Sequence, residues 1–110
     1  MRVIRPRNFD RRARHAGLDE EDLADLIKAL VERPDRGAVI PGTGQARKVR
    51  LRLPGRGKRG GARVIYAVVL RATALVLLDV YAKSEQGDLT ATERKAIAVL
   101  IREIEAGFEA

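Results

Sequence analysis

Between Pro54 and Arg63 the chain reads Pro-Gly-Arg-Gly-Lys-Arg-Gly-Gly-Ala-Arg, four cations interleaved with four glycines between two apolar runs. Cations this close repel one another and glycine has no side chain to bury, so packing alone would not select the stretch. A solvated hairpin turn could share its composition, but the neighbouring sequence extends the same charge. From Arg36 to Leu78 there is no Asp or Glu, while ten Lys and Arg residues fall in that span. Residues 1–35 balance eight cations against eight acids, and residues 79–110 carry four against seven, so the middle supplies all of the net +7. Charge segregated in this way suits a directed anionic partner, nucleic acid above all.

Chemistry on a polyanion is open to these residues. Cutting RNA without a metal requires a ribose 2′-OH to lose its proton and attack the adjacent phosphate in line. Cations must steady the pentavalent oxyanion, and a group must protonate the leaving 5′-oxygen. A lysine, ordinarily near pKa ~10.4, serves as base only where like charges depress it; Lys58 has Arg56 and Arg59 beside it. Arg63, always charged and able to bind two oxygens at once, suits the phosphate. His15 is the only histidine and there is no cysteine. Disulfides, thiolate chemistry, Cys- or His-based metal sites and paired-histidine catalysis are therefore excluded within one chain, and no metal or cofactor is expected. His15, near a helix C-terminus, needs no more than a structural or surface role.

The elements that must position these groups follow from periodicity. With 45% apolar residues, the 110 residues suit one domain, 1–110, with one core. Residues 2–5 suit a short edge strand stopped by Pro6. A helix is predicted from an Asn8 cap through about His15, with Phe9, Ala13 and Ala16 inward and Gly17 ending it. A second, capped by Asp19, carries Leu23, Leu26, Ile27, Leu30 and Val31 as one stripe and closes at Pro34 and Gly37. Residues 39–44 read as a Pro-Gly turn, with a phosphate nest a secondary possibility. Arg47 to Leu53 alternates, placing Val49, Leu51 and Leu53 on one sheet face and Lys48, Arg50 and Arg52 on the other. Ala62–Leu70 and Ala74–Tyr81 read as a central hairpin whose antiparallel pairing gathers Arg63, Tyr81 and Lys83 at the end that carries the basic loop. Thr90 and Glu93 form a capping box before a last helix, whose Ile97, Leu100, Ile101 and Ile104 should cover the sheet. The result is an α+β chain of order β-α-α-β-β-β-α, an antiparallel sheet of about four strands with two N-terminal helices and one C-terminal helix. No apolar stretch has signal-peptide length or the ~18 to 20 residues of a membrane span, so a soluble, cytoplasmic protein with no membrane partner is expected.

Five segments in register carry a resemblance: Ala38-Val-Ile-Pro-Gly-Thr-Gly44, Arg47-Lys-Val-Arg50, Gly55-Arg-Gly-Lys-Arg-Gly-Gly-Ala-Arg-Val-Ile-Tyr66, Tyr81-Ala-Lys-Ser-Glu85 and Asp88-Leu-Thr90. Together they resemble the RelE/ParE superfamily of bacterial toxins, in its HigB-like branch. That resemblance implies a compact RelE-like fold and a type II toxin-antitoxin toxin that acts as an endoribonuclease on messenger RNA in the 30S decoding site, inhibiting translation. It also implies neutralisation by a cognate antitoxin, expected to carry a helix-turn-helix DNA-binding domain. On the matching positions it implies catalytic roles for Lys58, Arg63 and Lys83, the last as acid or charge stabiliser, with Glu85 as alternative base or orienting group. Tyr81 would stack on a base or end its strand, and Lys48, Arg50, Arg56 and Arg59 would bind RNA. The family's tyrosine near the C-terminus has no counterpart in residues 84–110, which moves that role to Tyr81 or Tyr66. A non-catalytic basic RNA- or DNA-binding module and a ParE-like gyrase inhibitor are the competing readings; ParE relatives lack the catalytic cations.

Overall fold

The structure, a computed structural model, describes residues 1–55 and 60–107. Strand β1 (Arg2–Ile4) leads into helices α1 (Arg7–His15) and α2 (Glu20–Glu32); β2 (Ala38–Val39), β3 (Arg47–Leu51), β4 (Ala62–Val69) and β5 (Ala74–Ala82) follow, and α3 (Ala91–Gly107) closes the chain. The sheet has five strands in the order β1-β5-β4-β3-β2, one more than the sequence predicts. The extra strand is β2, the two residues before the Pro-Gly turn, which pair with Arg47 and Lys48. Pairing is antiparallel except at the edge, where β1 runs parallel to β5.

Helices cover both faces. Alternation in β4 and β5 sends Val64, Tyr66, Leu75, Leu77 and Val80 against Phe9 and Ala13 of α1 and Leu23, Leu26 and Leu30 of α2. It sends Ile65, Ala67 and Tyr81 to the other face, where they meet Leu89 and Ile97 and Ile101 of α3. A register shift between Ile65 and Tyr66 carries the pairing from Asp79 to Leu77, leaving Leu78 as the extra residue of a bulge. Tyr66 is fully buried; its hydroxyl donates to the Pro34 carbonyl at 2.7 Å and accepts the Gly37 amide at 2.9 Å. It therefore anchors the end of α2 and is not available to chemistry.

Two local expectations are corrected. Pro6, not Asn8, precedes α1 as its cap, its fixed φ suiting a helix entrance, and the Asn8 side chain instead accepts from Arg11 one turn on. On α3 the buried stripe is Ile97 and Ile101 with Ile104 partly covered, whereas Leu100 is 41% exposed. The helix meets the sheet through a narrow stripe at i, i+4 and i+7, and Leu100 falls on its flank. Accordingly, Ile101→Ala should cost about 2 to 5 kcal/mol through the cavity it opens, whereas Leu100→Ala should stay within about 0.5 kcal/mol. Paired thermal melts test this, and equal losses would contradict the burial difference.

The other caps form as the sequence predicts. Asp19 accepts the Asp22 amide while the Asp22 carboxylate accepts that of Asp19, a reciprocal box. Thr90 and Glu93 do the same for α3, at 2.8 and 3.1 Å. The Thr90 amide holds the Glu93 carboxyl below its ordinary range. A carboxyl with a lowered folded-state pKa contributes stability above its unfolded value of ~4.3 and loses it as pH falls through the lowered one. Between pH 6 and pH 3 the wild-type melting temperature should thus fall more steeply than that of Glu93→Gln; parallel curves would refute this.

Candidate functional site

Register builds the site. Arg50 on β3 lies opposite Arg63 on β4, and Arg63 lies opposite Tyr81 on β5. Directly opposed residues share a sheet face, so the three form one row on the face that carries α3. Lys48, two residues before Arg50, stands on that face in the next row, opposite Ile65. Lys83 lies one step past the end of β5, and its amide donates to the Gly61 carbonyl at 2.9 Å, which continues the β4 pairing. Arg50, Arg63, Tyr81 and Lys83 therefore share the sheet end where β3 stops at Leu51 and β4 starts at Ala62. Arg56, Lys58 and Arg59 lie outside the described residues.

The two glycines before Arg63 have distinct duties. Gly60 takes φ of +81°, and the Lys83 side chain lies against it, 3.1 Å from where a methyl would sit. Its carbonyl accepts the Arg63 Nη1 at 2.9 Å. That bond fixes one end of a half-buried guanidinium with five N–H donors. Lys83 Nζ donates to the Gly87 carbonyl, holding the exposed amine over the loop after β5.

Tyr81 is 5% exposed and clusters with Ile65, Leu89 and Ile97, so it walls the site and offers no open ring face to a base. Its hydroxyl is buried without a hydrogen-bond partner among the described residues. Burial, with the Asp88 carboxylate, pushes the phenol above its ordinary pKa despite the opposing Arg63. The group is accordingly protonated at neutral pH and does not begin as a base.

Glu85 also contacts α1. Its Oε2 lies 3.2 Å from His15 Nε2, so the carboxylate ties the loop after β5 to the end of α1. His15 and Glu85 are 70 residues apart, and only the packing of α1 along β5 joins them. The two residues line a cleft of about 440 Å³ whose walls also include Arg12, Tyr81 and Gln86. Beneath it Asp79 is buried, its Oδ1 3.1 Å from Arg12 Nε and accepting its neighbour Val80's amide at 2.8 Å. Burial outweighs these contacts and raises its pKa.

The Pro-Gly turn is elsewhere. Thr43 fills it, donating to the Ile40 carbonyl and accepting the Ala46 amide, and it adjoins the Arg47 end of β3, opposite to the end where Arg63 stands. The phosphate-nest possibility thus falls away from the site. Sequence reasoning also passed over two residues close to Lys48. Asp88 Oδ1 lies 3.4 Å from Lys48 Nζ and its Oδ2 3.3 Å from Arg94 Nη2. Asp88 enters the sequence reading only within the Asp88-Leu-Thr90 segment before the last helix, and Arg94 does not enter it. Among the described residues, no group of His, Cys, Asp and Glu is placed to hold a metal ion, and no helix is long and apolar enough to cross a membrane.

Comparison with known proteins bears on the whole chain. The profile of a family described as the RelE toxin of the RelE/RelB toxin-antitoxin system matches residues 1–107. Among solved structures, the free state of a double mutant of the E. coli toxin RelE superposes with a TM-score of 0.58 at 19% identity, covering 90% of this chain and 94% of that one. A conserved hypothetical protein from Helicobacter pylori matches at 14% identity and a TM-score of 0.44, over 77% of this chain and 97% of its own.

Proposed function

Since the chain belongs to the RelE toxin family, as the match over residues 1–107 shows, it is the toxin of a toxin-antitoxin pair, and we propose that it acts as a metal-independent endoribonuclease of the HigB-like branch. Its substrate in this reading is messenger RNA presented in the decoding site of the ribosome, in the cytoplasm. The observation that carries the reading is the strand register that lines up Arg50, Arg63 and Tyr81, with Lys83 one step beyond at the same sheet end.

Each group has a task that its surroundings suit. Arg63, held by Gly60, binds the scissile phosphate and steadies the charge that builds as the 2′-oxygen attacks. Lys83, on the exposed end of β5, shares that stabilisation or gives a proton to the leaving 5′-oxygen. Lys58 or Glu85 takes the 2′-OH proton, Glu85 only if its contact with His15 opens. Lys48, Arg50, Arg56 and Arg59 bind flanking phosphates. Tyr81 being enclosed, base presentation falls to the ribosome.

Primer extension on transcripts from cells induced to express the chain tests the reading, with codon-phased cuts in translated messages as the expected result. Growth arrest with uncut transcripts and altered plasmid supercoiling would assign gyrase as the target. Uncut transcripts, unchanged supercoiling and RNA or DNA retention would leave a non-catalytic binding module. The partner proposed is an acidic antitoxin with a helix-turn-helix domain, encoded next to the toxin and drawn by the basic middle of the chain. Co-expression should restore growth and the two should co-elute; failure of both would remove that partner.

A further inference from the structure

We infer that Lys48 and Arg94 form a second anion seat beside the Arg63 row, that Asp88 occupies it as a resident surrogate for an RNA phosphate, and that bound RNA displaces this carboxylate. The inference rests on the RNA-binding reading above and adds to it a site that the basic loop does not contain.

Geometry carries the argument. Lys48 comes from β3 and Arg94 from the first turn of α3, elements far apart in sequence, and a single carboxylate lies between them at 3.4 and 3.3 Å. The Leu89 amide donates to the same Oδ1 at 2.7 Å, which fixes the carboxylate in place. That amide first, then Lys48 and Arg94, hold the Asp88 carboxyl below its ordinary range, so it is charged at neutral pH. The seat is thus anion-filled without any ligand. Both ion pairs are long and the Asp88 side chain is 49% exposed, the kind of contact that contributes about 0 to 1 kcal/mol and is readily exchanged. On Arg94, Asp88 takes Nη2, while Nε is enclosed and has no partner among the described residues. A phosphodiester would bring more acceptor oxygens to this fork than Asp88 does. Lys48 stands on the same face as Arg50 and Arg63, so a strand lying along the row would meet the seat next.

Asp88→Asn isolates the charge, because the amide oxygen still accepts from Leu89 while the attraction for Lys48 and Arg94 is lost. Fluorescence anisotropy with a labelled single-stranded RNA dodecamer, from 50 to 300 mM salt, should show affinity rising about three- to tenfold at low salt. The salt slope should steepen by about one, given ~0.7 per phosphate contact on single strands. Glu105→Gln makes the same charge change eleven residues beyond Arg94 on α3, about 16 Å along the helix from it and beyond the ~10 Å screening length; it should alter binding little. In a Lys48→Ala background the Asp88→Asn gain should shrink. Asp88→Ser, which also keeps an oxygen for the Leu89 amide, should give the same sign, and melting curves of each variant check the fold. Equal effects of Asp88→Asn and Glu105→Gln, or an undiminished gain without Lys48, would overturn the seat while leaving RNA binding standing. No RNA binding by the wild-type chain at any salt would overturn both.

Discussion

Arg63→Ala is expected to lower single-turnover cleavage of messenger RNA on programmed ribosomes by about 10²- to 10³-fold, the loss typical of removing one oxyanion stabiliser. It should do so in a folded protein. Arg63 is half-buried, and among the described residues its side chain is tied by the bond to the Gly60 carbonyl, worth about 0.5 to 1.5 kcal/mol. In a domain of this size that amounts to a drop of several degrees in melting temperature. Arg63→Lys should recover only part of the rate, because a point charge cannot grip two phosphate oxygens. Lys83→Ala and Lys58→Ala should lose less if the ribosome supplies part of the proton transfer. Full activity in Arg63→Ala would take the residue out of the site. A collapse of its melting temperature would instead give the arginine a structural role.

The row that makes this prediction possible was legible in the sequence to an unusual extent. Arg63 opens one apolar run and Tyr81 ends the next with a short connection between them, so antiparallel pairing had to bring them together; the register does so residue for residue. The cap at Asp19 and the capping box at Thr90 and Glu93 were equally plain, because both are written in a few consecutive residues; that Asp22 completes a box with Asp19 shows only in the structure. The long-range pairings were less visible. Nothing local signals that β1 lies parallel beside β5, that two residues before a Pro-Gly turn become a fifth strand, or that α3 takes the face opposite α1 and α2. Leu100 was misjudged because helical periodicity fixes the direction of an apolar stripe but not its width, which depends on how much sheet the helix meets.

In the site, residue type was readable and environment was not. Tyr81 reads as an aromatic at the end of a strand in either role, and only the packing of Leu89 and Ile97 around it shows that its ring is enclosed. Glu85 carries no sequence signal of its contact with His15 at the end of α1. Single-sequence reasoning has no means of pairing residues 15 and 85.

Gly61→Ala should be the most damaging single-methyl change in the described chain. Gly61 has φ of +69°, where an L side chain costs about 1 to 3 kcal/mol, and a Cβ there would lie 2.2 Å from the Leu51 carbonyl oxygen and 3.1 Å from its carbon. These are backbone atoms of β3, so no rotamer change relieves the clash; β3 and β4 must separate where Leu51 pairs with Ala62. Gly55 provides the control. Its φ of +74° carries similar strain, but a methyl there would meet nothing within 4 Å. The difference between the two variants therefore measures the clash alone. Gly55→Ala should lower the melting temperature by several degrees, whereas Gly61→Ala should lose several kcal/mol more, a large part of the ~5 to 15 kcal/mol that holds a domain together. Growth arrest on induction should vanish in Gly61→Ala and persist in Gly55→Ala, since the Gly61 carbonyl also receives the Lys83 amide that sets the end of β5. Circular dichroism melts of both variants decide the matter; matching curves would mean that β3 and β4 do not approach at Gly61 as closely as the structure places them.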